Sequence, residues 1–338
     1  MSITIYDLAK KLNYSPSTIS RALNNHKSIG KKTTLNIQKA AKEMGYKPNT
    51  QAASLRSKQS KTIGILISRI NRPFVSTLIS GIEDAARKSG YNVLISQSND
   101  HYKDEITNAN TLLQSRVSGL IVSLSMETKN TDHFKEFTDQ GIPVVFVDRV
   151  PLSFNSYKVI IDNYNSAFQA TQHLIEQGCK RIAHFAGSQH LNVYNQRRSG
   201  YLDALKHHNI PIDKELIINL KSLSFEEGKI ATEKLLKLPL PPDGIFSAND
   251  TAALSAITYL KEQQIRIPED IAIIGFNDDP IASIIEPSLS TVSHPAYKMG
   301  ELSFQRILEH TTDRTIAGVS EIFVLDTSII IRKSSKRY

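Results

Sequence analysis

"YSPSTISRALN", residues Tyr14 to Asn24, sets four Ser or Thr residues and an arginine among only a few apolar side chains. Ser15 in front of Pro16 is a helix start: the serine hydroxyl accepts from an orphan N–H and the proline ring presets φ. Upstream, "TIYDLAKKL" offers Thr4 as a cap and Ile5, Leu8, Ala9 and Leu12 at helical spacing. Only Asn13 and Tyr14 separate the two segments, and asparagine tolerates the left-handed backbone that a tight inter-helix turn requires. The stretch therefore predicts a helix-turn-helix in which Ala9, Asn13 and Ile19 form the close crossing and Leu8, Leu12 and Leu23 fill around them. Ser15, Ser17, Thr18, Ser20 and Arg21 cannot all be buried, so several project outward. By itself this reads equally as a capped helical hairpin with a solvated polar face.

Charge separates the two readings. Residues 1–61 hold 12 Lys or Arg against Asp7 and Glu43, a net +10, while the whole 338-residue chain is +8. The basic excess thus lies entirely in the first fifth, which is the electrostatic footprint of a polyphosphate-binding segment. The length allows two or three domains, and a 40% hydrophobic content supports packed cores. A single cysteine, Cys179, excludes an intrachain disulfide framework and fits a reducing compartment. The N-terminus lacks the basic and apolar regions of a signal peptide, and no apolar run approaches membrane-spanning length. The expectation is a cytoplasmic protein with no membrane partner.

A third helix is predicted from about Thr33 to Met44, with Ile37, Ala40, Ala41 and Met44 as its packing stripe and Gly45 as its stop. Then "YKPNTQAASLRSKQSKTIG" places Pro48 as a breaker and leaves residues 50–57 as a helix of roughly two turns, too short to hold alone in water. Such a segment folds only against something, and its one large apolar side chain is Leu55.

Taken together, the helix-turn-helix, the "GYKPN" joint, the "SLR" segment and the "KTIG" entry into a strand resemble the opening of a lac repressor (LacI) family transcription regulator, and the similarity runs through nearly the whole chain. The resemblance implies an all-α headpiece over residues 1–47, a hinge over 48–61 and an effector-binding and dimerisation core over 62–338. It implies DNA contact by Thr4, Tyr6, Ser15, Pro16, Ser17, Thr18, Ser20, Arg21 and Asn24 in the headpiece. In the hinge it implies contact by Asn49, Ala52, Leu55 and Arg56, with Leu55 entering the minor groove of a palindromic operator bound by a homodimer. Two departures from the family pattern stand out: Gln51 replaces a commoner apolar residue, and Pro16 occupies a position that often reads a base. Base reading therefore falls on Ser17, Thr18 and Arg21.

From Thr62 onward strands alternate with helices: "TIGILIS", "YNVLIS", "GLIVSL" and "PVVFVD", then "RIAHFAG", "ELIINL", "GIFSAN" and "IAIIGF", with amphipathic stretches between. This alternation predicts parallel α/β sheets. The resemblance supplies the topology, a periplasmic-binding-protein-like (type I) core of two lobes, about 62–161 with 292–321 and about 162–291 with 322–338. Ligands bind beyond the carboxyl ends of such strands. By resemblance Ser68, Arg72, Phe74, Ser123, Asp148, Arg149, Arg197, Leu223, Asn249, Asn277 and His294 fall at effector positions, with Arg198 competing with Arg197 for the inward direction.

Amides and carboxylates beside guanidinium groups suit a sugar. Leu223 stands where an aromatic often stacks, Asn277 replaces a frequent aspartate, and His294 a frequent glutamine. Three arginines against a lost carboxylate make the cleft read as cationic, so the expected effector is a sugar, a sugar acid or a sugar phosphate, with no bound cofactor or metal. An enzyme is not expected: there is no GxGxxG after the first strand, no phosphate-loop lysine and no zinc spacing among the ten histidines. The alternatives are a regulator of this architecture controlled by a docked partner protein, and a sugar receptor without a DNA role.

Overall fold

A computed structural model describes residues 3–46, 60–312 and 320–337. The chain divides into two compact units, Met1–Ser60 and Lys61–Tyr338.

In the first unit α1 (Ile5–Leu12) opens with a reciprocal capping box: the Asp7 amide donates to Thr4 Oγ1, and Asp7 Oδ2 accepts from the Thr4 amide at 2.8 Å. Asn13 closes the helix at φ 54. Pro16 starts α2 (Pro16–Leu23), with Ser15 accepting from the Thr18 amide at 3.1 Å. The third helix, α3 (Lys31–Glu43), begins two residues before the sequence expectation because Gly30 serves as N-cap without a side-chain bond, and Gly45 ends it at φ 66. Leu8, Ala9, Ile19, Ala22, Ile37, Ala40 and Ala41 form its core. The two-turn hinge helix expected over 50–57, with Asn49, Gln51, Ala52, Leu55 and Arg56, lies outside the described residues.

The second unit is two α/β lobes. Lobe 1 contains β1 (Thr62–Ile67), α4 (Pro73–Lys88), β2 (Asn92–Gln97), α5 (Tyr102–Gln114), β3 (Gly119–Val122), the short α6 (Lys135–Asp139), β4 (Val144–Val147) and β5 (Tyr157–Ile161). Lobe 2 contains α7 (Asn163–Glu176), β6 (Ile182–Ala186), α8 (Asn192–His207), β7 (Ile217–Asn219), α9 (Phe225–Leu236), β8 (Gly244–Ser247), α10 (Asp250–Glu262) and β9 (Ala272–Ile274). The chain then passes through β10 (Thr291–Val292), α11 (Ala296–Thr312), β11 (Glu321–Leu325) and β12 (Ile329–Ile330).

Six parallel strands, in the order β11-β5-β4-β3-β1-β2, make the sheet of lobe 1, and four, β7-β6-β8-β9, that of lobe 2. Strands β10 and β12 pair antiparallel where the chain crosses between them. One boundary is corrected here. Lobe 1 regains the chain through Leu325, not 321, because β11 pairs residue by residue with β5, Ile322 opposite Lys158 and Leu325 opposite Ile161.

Strands β1, β3 and β4 are buried almost throughout, as sheets covered on both faces require. Leu78, Ile82, Met299, Phe304 and Ile307 from α4 and α11 cover one face of the lobe 1 sheet, and Leu112, Phe134 and Phe137 the other. At the α4–α11 crossing a Cβ on Gly81 would collide with the Tyr297 carbonyl, and one on Gly300 with that of Leu78, so two glycines fix how closely these helices approach. Cys179 is buried, its thiol pushed up to about 12 by burial, which makes it inert packing.

Candidate functional site: a DNA-facing helix and an inter-lobe cleft

In the headpiece, Ile19 and Ala22 turn inward and leave Ser17, Arg21 and Asn24 exposed along the other side of α2, with Pro16, Thr18 and Ser20 half-buried. Thr4 and Tyr6 are exposed on α1, the tyrosine 70%. Three of these residues also have structural duties. Thr4 closes the capping box, Asn24 donates to the Ser20 carbonyl at 2.9 Å, and the Ser15 hydroxyl caps α2 while bonding Ser17 and Thr18. What remains for a groove is Tyr6, Arg21 and the outer edges of Pro16, Ser17, Thr18 and Ser20. Arginine presents paired donors that match guanine in the major groove.

The cleft lies between the carboxyl ends of the two sheets. Ser68 ends the β1 segment, Ser123 follows β3, and Arg72 and Phe74 open α4; Asp148 and Arg149 follow β4, Arg197 projects from α8, and Asn249 and Asn277 follow β8 and β9. All nine line one cavity. The sequence reading missed Asp100, Tyr194, Ser222, Thr251 and Asp279, which line it too. Two expected residues do not. Leu223, 1% exposed, packs in the apolar core of lobe 2, and only its carbonyl takes part, accepting from Asn249 Nδ2 at 3.0 Å. His294 stacks behind Phe74 with ring centroids 4.1 Å apart and meets Asn277 Oδ1 at 3.3 Å, so it props the lining rather than forming it.

The three arginines each have definable partners. Arg149 donates to Asp100 Oδ1 at 2.7 Å and to the Tyr194 hydroxyl at 3.1 Å, joining lobe 1 to lobe 2. Burial works against the Asp100 charge, but Arg149 and Arg69 outweigh it and hold its carboxyl below the usual range. Arg197, 3% exposed, donates to Asn163 Oδ1 at 2.8 Å and the Ala248 carbonyl at 2.7 Å, with its guanidinium 3.6 Å from the Phe276 ring centroid. Burial pulls it down to about 10, opposed by Asp148. Its neighbour Arg198 does not reach the cleft lining, which settles the direction.

Asp148 sits at φ 61, its carboxyl raised by burial against the lowering effect of Arg197 and Arg149. Arg72 reaches across to Thr251 Oγ1 at 3.3 Å and the Ser222 carbonyl at 3.4 Å, long bonds that leave it capacity for a ligand. Asn192, on α8, clasps lobe 1 in both directions: its Nδ2 donates to the Asp148 carbonyl at 3.1 Å and its Oδ1 accepts from the Val150 amide at 3.0 Å. Arg72, Arg149 and Arg197 are matched in number by Asp100, Asp148 and Asp279, of which Asp100 is bonded to Arg149 and the other two are raised by burial and opposed by nearby arginines. The cationic cleft read from sequence is corrected to a balanced one, because Asp100 and Asp279 are brought in from loops.

Comparisons with known proteins bear on both sites. Residues 4–49 match the model of bacterial regulatory proteins of the lacI family, and 171–335 match the periplasmic binding protein-like domain. The HTH-type transcriptional repressor CytR of Escherichia coli K12 is 31% identical over 333 residues, covering 98% of this chain and 96% of that protein. The structure of the lac repressor dimer bound to operator and an anti-inducer superposes with a TM-score of 0.88 at 25% identity, over 99% of both chains. A complex of the transcriptional regulator CelR with cellobiose gives 0.73 at 27% identity, over 98% of this chain and 99% of that one. Among the described residues no helix is long and apolar enough to cross a membrane. With a helix-turn-helix headpiece, a two-lobed cleft and relatives of this kind across its whole length, the chain belongs to the LacI family of DNA-binding transcription regulators with an effector-binding domain.

Proposed function

We propose that this chain is a cytoplasmic repressor, acting by binding rather than catalysis, whose hold on a palindromic operator is set by a neutral, polyhydroxylated effector, a sugar in the simplest case, between the two lobes. The observation that carries the effector class is the balance of three arginines and three aspartates around the cleft. A ligand bearing its own carboxylate or phosphate would displace Asp100 from Arg149 or face Asp148 and Asp279 unpaired, and a buried unpaired charge is costly. Hydroxyl groups suit the site: they donate to Asp148 and Asp279 and accept from Arg72, Asn277 and the serines.

The regulator works as a homodimer, since one headpiece makes too few contacts for strong specificity. Lobe 1 offers the exposed apolar side chains Ile70, Leu94 and Ile95, and lobe 2 offers Phe225, Ile230, Ile281 and Ile284, surfaces that a second copy covers in a two-fold arrangement. Effector binding tightens or releases the cross-lobe bonds of Arg72, Arg149 and Asn192, and operator affinity follows by linkage. Titration calorimetry with neutral sugars, each paired with its uronic acid and phosphate counterpart, tests the effector class. Heat from the neutral members alone is the expected outcome; tighter binding of the charged members refutes the reading.

A further inference from the structure

One buried carboxylate that the effector reading does not use joins the cleft to the lobe crossover. Asp250, at the first position of α10, is fully buried. Its Oδ2 accepts from the Asp279 amide at 2.8 Å, and Asp279 lines the cleft. Its Oδ1 accepts from the Thr291 hydroxyl at 2.7 Å, and Thr291 belongs to β10, where the chain leaves lobe 2. Gly275 passes so close that a Cβ there would collide with Asp250 Oδ1, so the backbone itself is shaped to this carboxylate.

The Thr291 hydroxyl has a second place to turn. It accepts from the Asp278 amide at 3.2 Å, and the Val292 carbonyl stands 3.5 Å away as an alternative acceptor. The charged surroundings of Asp250 come from two elements. From the loop after β9 come Asp279, which faces Arg72, and Asp278, which pairs with Arg332 at 2.7 Å; from α8 comes Arg197; β10 presents only the Thr291 hydroxyl. Among the described residues no cation bonds Asp250 directly. Its neighbours give it a hydroxyl and an amide, and two of the nearby charges are negative.

We infer that Asp250 is the positioning residue that ties the effector cleft to the β10 crossover, with Thr291 as a two-way partner that donates to the ionised carboxylate and, once Asp250 takes a proton from solvent, accepts from it and turns its own hydrogen to Val292. Both protonation states are then satisfied without a broken bond, which is what a buried group needs in order to titrate within the folded molecule. The like charge of Asp279, which has its own place in the cleft opposite Arg72, is relieved when the proton arrives. Proton uptake at the crossover thereby favours the charged form of the Asp279 carboxyl that faces the cleft.

Burial, with Asp279 adding to it, pushes the Asp250 carboxyl up to about 7. In the unfolded chain it ionises near ~4. The folded state therefore holds the proton more tightly, and the resulting stabilisation, complete at acid pH, is lost as pH rises through the folded value.

This inference rests on the cleft being the effector site, but its test needs no effector, so the two readings fail separately. Thermal unfolding of the full chain and of Asp250→Asn, from about pH 5 to about pH 8, gives the titration. The wild-type melting temperature should fall by several degrees relative to the variant across that range; a constant difference overturns the inference. Hydrogen exchange at alkaline pH gives the positioning role. In Thr291→Val, exchange in 276–281 and 290–293 should rise together by about tenfold while β6 is unchanged, and Thr291→Ser should restore the wild-type rates. A rise confined to one segment, or no rescue by serine, overturns it equally.

Discussion

Arginine plays opposite parts in the two units. Arg21 stands exposed on α2, its charge free to meet DNA, whereas Arg197 is 3% exposed and locked to Asn163, Ala248 and Phe276. The headpiece ties Thr4, Ser15 and Asn24 into its own caps but keeps a net +7 over residues 1–47 that is suited to phosphate. In the cleft polar groups are spent largely on one another, and the charges cancel. A surface that reads a polyanion needs unpaired charge in water; a pocket that encloses a neutral solute has to remain satisfied out of water.

The contrast breaks first at Arg197. Arg197→Ala leaves the Ala248 carbonyl and Asn163 without their donor and opens a cavity beside Phe276, for an expected loss of about 3–5 kcal/mol in denaturant unfolding of the second unit. A loss below about 1 kcal/mol ends the claim that this guanidinium is structural. Arg149→Ala should cost about 2–3 kcal/mol, since it leaves Asp100 to Arg69 and the Met126 amide and removes a cross-lobe bond to Tyr194.

A pH arm sharpens that second test. The Asp100 carboxyl lies below its usual range, so its contribution is present above the unfolded value near ~4 and disappears as pH falls through the lower folded value. Wild type should lose this stability on acidification below about pH 4, while Arg149→Ala, in which Arg69 and the Met126 amide still hold the carboxyl but the Arg149 charge is gone, shows a shallower acid slope. Parallel slopes contradict the assignment.

Arg21→Ala, by contrast, should leave unfolding unchanged within about 0.5 kcal/mol yet relax base choice by about 1–3 kcal/mol, read by selecting preferred sites from random duplexes. Retained base preference sends the reading elsewhere on α2. Smallest is Ser15→Ala, in which the Thr18 amide loses its cap: the headpiece should lose about 1 kcal/mol, and the base preference should persist because the serine hydroxyl is engaged within the chain.

The headpiece was legible because its determinants are neighbours in sequence. Thr4 with Asp7, Asn13 in the turn, Ser15 before Pro16, and the inward spacing of Ile19 and Ala22 act within one or two helical turns. Strand and helix order in the second unit was readable for the same reason, although the strand Tyr157–Ile161 and the helix Ala296–Thr312 went unread. Arg72, Asp148 and Asn249 were legible because they lie in the loops after β1, β4 and β8, the ends where such sheets bind ligands. Asp100 and Asp279 follow β2 and β9 as closely, and Thr251 stands in the first turn of α10, but nothing local shows which residues of those segments turn into the cleft. Leu223 illustrates the opposite error: position suggested the lining, but an apolar side chain at φ 51 turns into the core of lobe 2.

By itself, then, the sequence determined a basic helix-turn-helix head on a nearly neutral α/β body, because capping, periodicity and charge are local or additive. Only the tertiary structure decided the sign of the cleft, the place of β11 in lobe 1 and the burial of Asp250 between cleft and crossover. Those depend on which residues, from 29 to 179 positions apart, the fold brings within hydrogen-bonding distance, as the bonds from Asp279 to Asp250 and from Arg72 to Thr251 show, and local pattern carries no record of such pairings.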